Sequence, residues 1–417
     1  MRTLGLAGLG LLSICTATAV PLDDTIDRLD DVLTIRSSDA TLGARISGTV
    51  DLEGYWLEQP APGLLDTARD TLLSPRFTTF VDLQLGRSVY VFAQLRADRG
   101  FDPAADHGRL RLDEYAVSWT PWTDGRLRLQ AGKFATVVGN WISRHGSWNN
   151  PFIGAPLPYE NLTGIWDAVA ANSTATLLRW AHLAPGPPGA DSDSDKYRRL
   201  PILWGPSYAS GLSVSGSLGA LTYALEMKNA ALASHPAAWE PGAEGWSRPA
   251  WSGRVSIRPN PQWTFGLSAS TGTYLRALAE PTVAPGYRLG DYRQTVFAQD
   301  LGFAWHHFQL WAEVFEARFA IPTVGQADTV AYYVEAKLKL TSRLFVATRW
   351  NQQVFGTLVD ATGKDVRWGS STTRLDLAAG YRFNAHVQGK LQYSLQREDR
   401  HPTTENRTVS TQLTLRF

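Results

Sequence analysis

The last nine residues alternate without a break. Val409, Thr411, Leu413, Leu415 and Phe417 fall on one face, and Ser410, Gln412, Thr414 and Arg416 fall on the other. A period of two is the geometry of a β-strand with one apolar and one wetted face. The same pattern recurs along the chain. Ile46, Gly48, Val50 and Leu52 oppose Arg45, Ser47, Thr49, Asp51 and Glu53. Val89, Val91, Ala93 and Leu95 oppose Tyr90, Phe92, Gln94 and Arg96. Tyr332, Val334, Ala336, Leu338 and Leu340 oppose Tyr333, Glu335, Lys337 and Lys339. Leu375, Leu377, Ala379, Tyr381 and Phe383 oppose Arg374, Asp376, Ala378, Gly380 and Arg382. Few segments carry the 3.6-residue period that a mixed α/β protein would show. A single sandwich also alternates, but it needs fewer and shorter strands than these.

The N-terminus suggests where such strands would be used. Arg2, the apolar run Leu4 to Leu12 and Ala17-Thr18-Ala19 have the form of a secretory signal over residues 1–19. The run is shorter than the roughly 20 residues of a membrane-spanning helix. A lipoprotein signal ending at Cys15 is disfavoured by the bulky Ile14 before it. Cleavage after Ala19 would remove the one cysteine, and with it any disulfide, thiolate nucleophile or cysteine metal site. Loss of Arg2 brings 40 basic residues to 39, equal to the 39 acidic ones. Nucleic acid therefore finds no basic excess to bind. Charged residues make up 19% of the chain, below the roughly 25% of soluble proteins. Mean hydropathy is nevertheless −0.20. An exported chain of alternating strands, half facing lipid and half facing water, has this balance.

Turns of two kinds take turns along the chain. Short ones fall near Gly86-Arg87-Ser88, Thr123-Asp124-Gly125, Leu218-Gly219, Asn260-Pro261, His306-His307, Thr341-Ser342 and Asn384-Ala385. Longer polar segments lie between them at 58–76, 97–108, 229–249, 274–291, 318–329, 354–370 and 397–405. This predicts a transmembrane antiparallel β-barrel with short periplasmic turns and long external loops. Trp122, Trp263 and Phe308 beside short turns suit an interfacial girdle. The turns count about sixteen strands. A hairpin turning near Asn172-Ser173 would make eighteen. The competing reading caps a short helix there, running through Leu177, Leu178 and Trp180. The domain plan is a signal at 1–19, a short periplasmic segment at 20–43, and a barrel at 44–417 with a long loop at 134–207.

A terminal aromatic closing an alternating strand, here Phe417, resembles the C-terminal signature of outer-membrane β-barrels, which the barrel assembly machinery reads. From Gly132-Lys133-Phe134 through Pro158-Tyr159-Glu160, a Gly-Lys strand end leads into a Trp- and Asn-rich, Pro-punctuated loop. That stretch is similar to the phosphate-selective O/P group of bacterial porins. Its position after the fifth predicted strand resembles the porin loop that folds inward and narrows the lumen. The resemblance implies a homotrimer in outer-membrane lipid. The chain has neither a long N-terminal coiled coil nor a dense basic cluster in the loop, as that group would.

The predicted function is a porin passing small hydrophilic solutes or ions by passive diffusion. An inward loop must be buried in protein or line water. Arg144, His145, Trp148, Asn149, Glu160 and Asp167 are the candidates for the constriction. Arg45, Asp51, Glu53, Arg96, Arg254, Arg258, Glu335, Lys337, Lys339, Arg374, Asp376 and Arg382 are the candidates for the lumen lining. They carry both signs, which favours a mixed lining over a one-sign filter. Inner Trp and Tyr residues could form a sugar-stacking path. No His-Glu-x-x-His, Gly-x-Ser-x-Gly or phosphate-cradling loop is present, so no enzyme, cofactor or metal is expected. The alternatives are a non-conducting barrel used as an adhesin or surface anchor and, further off, a barrel enzyme.

Overall fold

The computed structural model describes residues 26–417 apart from 30, 40, 66, 99–108, 184–195 and 400–403. The proposed signal at 1–19 lies outside the described residues. Strands run β1 (Thr34–Arg36), β2 (Leu42–Leu57), β3 (Thr71–Leu85), β4 (Val89–Asp98), β5 (Arg109–Trp119) and β6 (Arg128–Lys133). After a long insertion come β7 (Ser210–Leu218), β8 (Leu221–Lys228), β9 (Ala250–Ile257) and β10 (Trp263–Thr273). Next are β11 (Arg293–Trp305), β12 (Phe308–Ile321), β13 (Gly325–Lys339) and β14 (Leu344–Phe355). A small hairpin, β15 (Thr357–Val359) and β16 (Asp365–Arg367), precedes β17 (Thr372–Arg382), β18 (Val387–Glu398) and β19 (Thr404–Arg416).

Every barrel strand pairs antiparallel with its neighbours. The last returns to the first with Thr408 opposite Leu57 and Arg416 opposite Thr49. β2 to β14 and β17 to β19 thus form a closed barrel of 16 strands. Closure leaves no unpaired edge, the condition for strands in lipid. Past the end of β19, β1 takes the remaining edge of β2, with Thr34 opposite Arg45 and Arg36 opposite Gly43.

The alternation sorts the side chains as the sequence predicts. On β2, Asp51, Glu53, Tyr55 and Leu57 are buried inside, while Leu52 and Trp56 are exposed outside. On β14, Arg349, Asn351 and Gln353 are inside and fully buried, and Val346 and Trp350 are exposed outside. Outside, at the short-turn rim, Trp263 stacks on Phe265 and tilts against Phe303, a local aromatic belt.

One expectation changes, and the choice between sixteen and eighteen strands is settled for sixteen. Residues 318–329 are not a long loop. β12 and β13 run through them, and only Pro322, Thr323 and Val324 turn, with the Val324 N–H donating to the Ile321 carbonyl at 2.8 Å. Pro322 and Gly325 gave the segment a loop's composition, yet Phe319, Ile321 and Ala327 keep period two and are buried. No hairpin turns at Asn172-Ser173. Ser173 instead caps a helix, Thr174–His182, its Oγ accepting from the Thr176 N–H at 3.2 Å. That capping reading decides sixteen strands over eighteen.

Candidate pore constriction

The insertion between β6 and β7 leaves the wall at Lys133 and packs against inward-facing side chains of β12, β13, β14, β17 and β18. Its backbone is irregular, so its polar groups need partners. The wall supplies them. The Trp141 N–H donates to Glu313 at 2.7 Å, and the Tyr159 hydroxyl donates to the same carboxylate at 2.6 Å. The Leu157 N–H donates to Asn351 Oδ1 at 3.2 Å, and Ile153 and Gly154 N–H groups donate to Gln392 Oε1 at 2.6 and 3.2 Å. Arg349 donates to the Gly154 and Ala155 carbonyls at 3.0 and 3.1 Å. Lys390 Nζ donates to the Ser147 and Asn150 carbonyls at 2.6 and 2.9 Å. Asn161 donates to Gln353 at 2.9 Å.

Ion pairs tie the same seam. Arg144 meets Glu335 at 2.5 Å, donates to the Tyr333 hydroxyl at 3.0 Å and lies over the Trp311 ring. Arg349 bridges Glu335 at 3.5 Å and Asp376 at 2.9 Å, all three fully buried. Arg374 pairs with Asp376 at 3.2 Å and with Glu160 of the loop. Each charge in these pairs has an opposite partner, which keeps the network tolerable away from bulk water, while Glu313 and Lys390 are held by uncharged donors and carbonyls.

The candidate constriction residues separate. Arg144, His145 and Glu160 are in the loop's contact with the interior. His145 hydrogen-bonds through Nε2 to the Tyr208 hydroxyl at 2.8 Å, and burial lowers its pKa from 6.5 to about 4. Trp148 lies between the Arg382 and Arg416 guanidiniums, 5.2 and 4.1 Å from its ring centre. Asn149 is exposed. Asp167 is farther along, 3.0 Å from Arg276, and burial raises its carboxyl above the ordinary value against that partner.

Among the lumen candidates, Asp51 and Glu53 bind Arg76, Arg96 pairs with Asp98 and Asp113, and Arg254 pairs with Asp300 at 2.5 Å. Lys337 lies over Phe345. Arg45 and Lys339 are exposed near short turns. Arg258 sits one residue past β9, exposed, and donates to the Pro261 carbonyl at 3.0 Å. The sequence reading passed over Arg76, Glu313, Arg349 and Asn351. Period two through 344–355 would have placed Arg349 and Asn351 inside. That they hold the loop could be seen only in the closed barrel. His306 and His307 form the turn between β11 and β12. Among the described residues, no group of three or more His, Cys, Asp or Glu side chains is placed to hold a metal ion.

Beside the loop an open cavity remains, walled by β2, β3, β4, β18 and β19 and by the loop's Trp141, Asn150 and Glu160. A closed sixteen-stranded antiparallel barrel matches solved outer-membrane β-barrels in fold. No known family model and no curated protein matches the sequence. The fold is similar to that of the anion-selective porin from Comamonas acidovorans, at 11% identity over 90% of this chain and 100% of that one, with a TM-score of 0.55. It is equally similar to the outer membrane channel DcaP of Acinetobacter baumannii, at 11% identity over 92% and 99%, TM-score 0.55. OmpF of Salmonella typhi, solved with daunomycin, matches at 12% identity over 92% and 100%, TM-score 0.54. At these identities the shared property is the fold.

Proposed function

We propose that this chain is an outer-membrane porin, a passive diffusion channel for small hydrophilic solutes narrowed by residues 134–168. The carrying observation is the loop's attachment. From Asn140 to Asn161 its backbone and side chains bond to inward-facing groups on five neighbouring barrel strands, from Glu313 to Gln392, and a cavity stays open beside it. Irregular backbone so held narrows a water path without closing it. The barrel sits in lipid with its short turns toward the periplasm, inserted by the assembly machinery through the strand ending at Phe417, and assembles as a homotrimer. The solved porins and channels with this fold support the reading. Chemistry on a substrate is not part of it.

Refolded protein in planar bilayers should show discrete conductance steps. Protein that inserts fully and never conducts rejects the channel. One observation favours that second reading, a plugged barrel presenting its loops. The stacked pair Trp166–Trp180 and the fully buried Trp204 and Trp368 belong to an apolar cluster filling part of the interior.

A further inference from the structure

The cavity beside the loop is charge-balanced. Three carboxylates, Glu53, Asp98 and Glu160, and three guanidiniums, Arg76, Arg96 and Arg374, line it among the described residues. Each guanidinium is matched to one of those carboxylates: Arg76 to Glu53, Arg96 to Asp98 at 3.8 Å, and Arg374 to Glu160. An inorganic ion entering here meets its own sign as often as the opposite one, and charges already engaged attract it weakly.

The remaining wall is mixed, with Leu64, Leu65, Phe152 and Ile153 supplying an apolar part and the last two strands a polar one. Along β18 and β19 the inward positions carry Gln392, Ser394, Gln396, Thr408, Ser410 and Gln412. Two of these amides are oriented by acids. Gln412 Nε2 donates to Glu53 at 2.6 Å and Gln396 Nε2 donates to Glu398 at 3.2 Å. A carboxylate only accepts, so the amide nitrogen must face it and the amide oxygen must face away. In both residues that oxygen is buried with no protein donor. Trp141 lines the same cavity, and its indole N–H is buried with no protein acceptor. Two unmatched acceptors and one unmatched donor thus belong to residues that line one cavity. Buried polar groups of this kind call for a partner. A hydroxyl group both donates and accepts, and Trp141 and Tyr55 add aromatic carbon to the lining.

We propose that this cavity is a subsite for an uncharged polyhydroxylated solute, a sugar, and that the channel discriminates little between cations and anions. The proposal deepens the porin reading and rests on it for the solute's passage, whereas the subsite itself can be read without conduction.

Three measurements separate the possibilities, two of them with maltose as the probe. In planar bilayers under a KCl gradient the reversal potential should lie close to zero. Maltose should reduce the current reversibly and saturably, beyond the viscosity effect of a polyethylene glycol of equal size. Calorimetric titration of the detergent-solubilised barrel should show saturable maltose binding. Gln396→Leu and Gln412→Leu should each weaken binding about fivefold, the scale of one lost hydrogen bond. Trp141→Phe removes only the indole donor and should weaken binding similarly while keeping the loop in place. A strong preference for one ion sign, or no saturable binding by the wild type, overturns the sugar subsite. Binding without any conductance upholds the subsite and rejects the channel.

Discussion

Gly132 shows at one position why the Gly-Lys strand end leads into the loop. Its φ is +143°, and a Cβ there would lie 2.2 Å from the Tyr115 carbonyl oxygen on β5. No side chain fits between the two strands at the point where β6 gives way to the insertion. Gly132→Val should therefore destabilise the barrel by roughly 2–4 kcal/mol, combining backbone strain with the clash. Urea unfolding in lipid vesicles would measure it, and an unchanged midpoint would reject the account. Gly48 does a related task on the outer face. A Cβ there would approach the Phe417 ring to 2.6 Å, and Phe77 stacks beside that ring with centroids 6.2 Å apart. The glycine was legible as an outward position of an alternating strand. That it makes room for the terminal aromatic depends on the register of β19 against β2.

At the scale of the element, the loop is held by many partners, and the partners have consequences. Deleting 140–158 should raise single-channel conductance and loosen size exclusion, because the contacts to Glu313, Glu335, Arg349 and Gln392 go with it. Unchanged conductance would show that the loop does not limit the pore. Acid should act in the same direction through His145. Its folded pKa is about 4 against an ordinary 6.5, so the folded loop binds fewer protons in that window. The stability it contributes is complete above pH 6.5 and is lost as pH falls toward 4. Tyr208 accepts or donates at its ring, and Arg96, Arg76 and Asp113 are the charges that act on it. Conductance of the wild type should rise between pH 6.5 and 4, and His145→Gln should flatten that rise. A profile identical in the two proteins would remove His145 from the account. The loop's existence and its Trp-rich, Asn-rich make-up were legible in the sequence. Its depth was not, since Arg144 and Glu335 are 191 residues apart and meet only across a closed barrel.

For the whole molecule, closure is the decisive property. Removing residues 409–417 would strip most of the pairing between β19 and both its neighbours, from Val409–Trp56 to Arg416–Thr49 on one side. The exposed edges of β2 and β18 would then present unpaired N–H and C=O groups. Such a truncation should refold into vesicles with a yield at least about tenfold lower and should aggregate through those edges. Wild-type insertion efficiency would argue that β1 and β18 can close the seam alone. The sequence by itself determined the all-β class, the inward and outward sides of the strands that alternate most cleanly, such as β2, β13, β17 and β19, and the place of the long insertion, because a period of two is local and survives without any fold. It misjudged 318–329, where Pro322 and Gly325 imitate a loop although the flanking residues still alternate. Tertiary structure alone decided that the insertion crosses the lumen, which charges pair and which polar groups stay unmatched. Those depend on the shear and closure of sixteen strands, which bring together residues hundreds of positions apart, and no local pattern encodes such a distance.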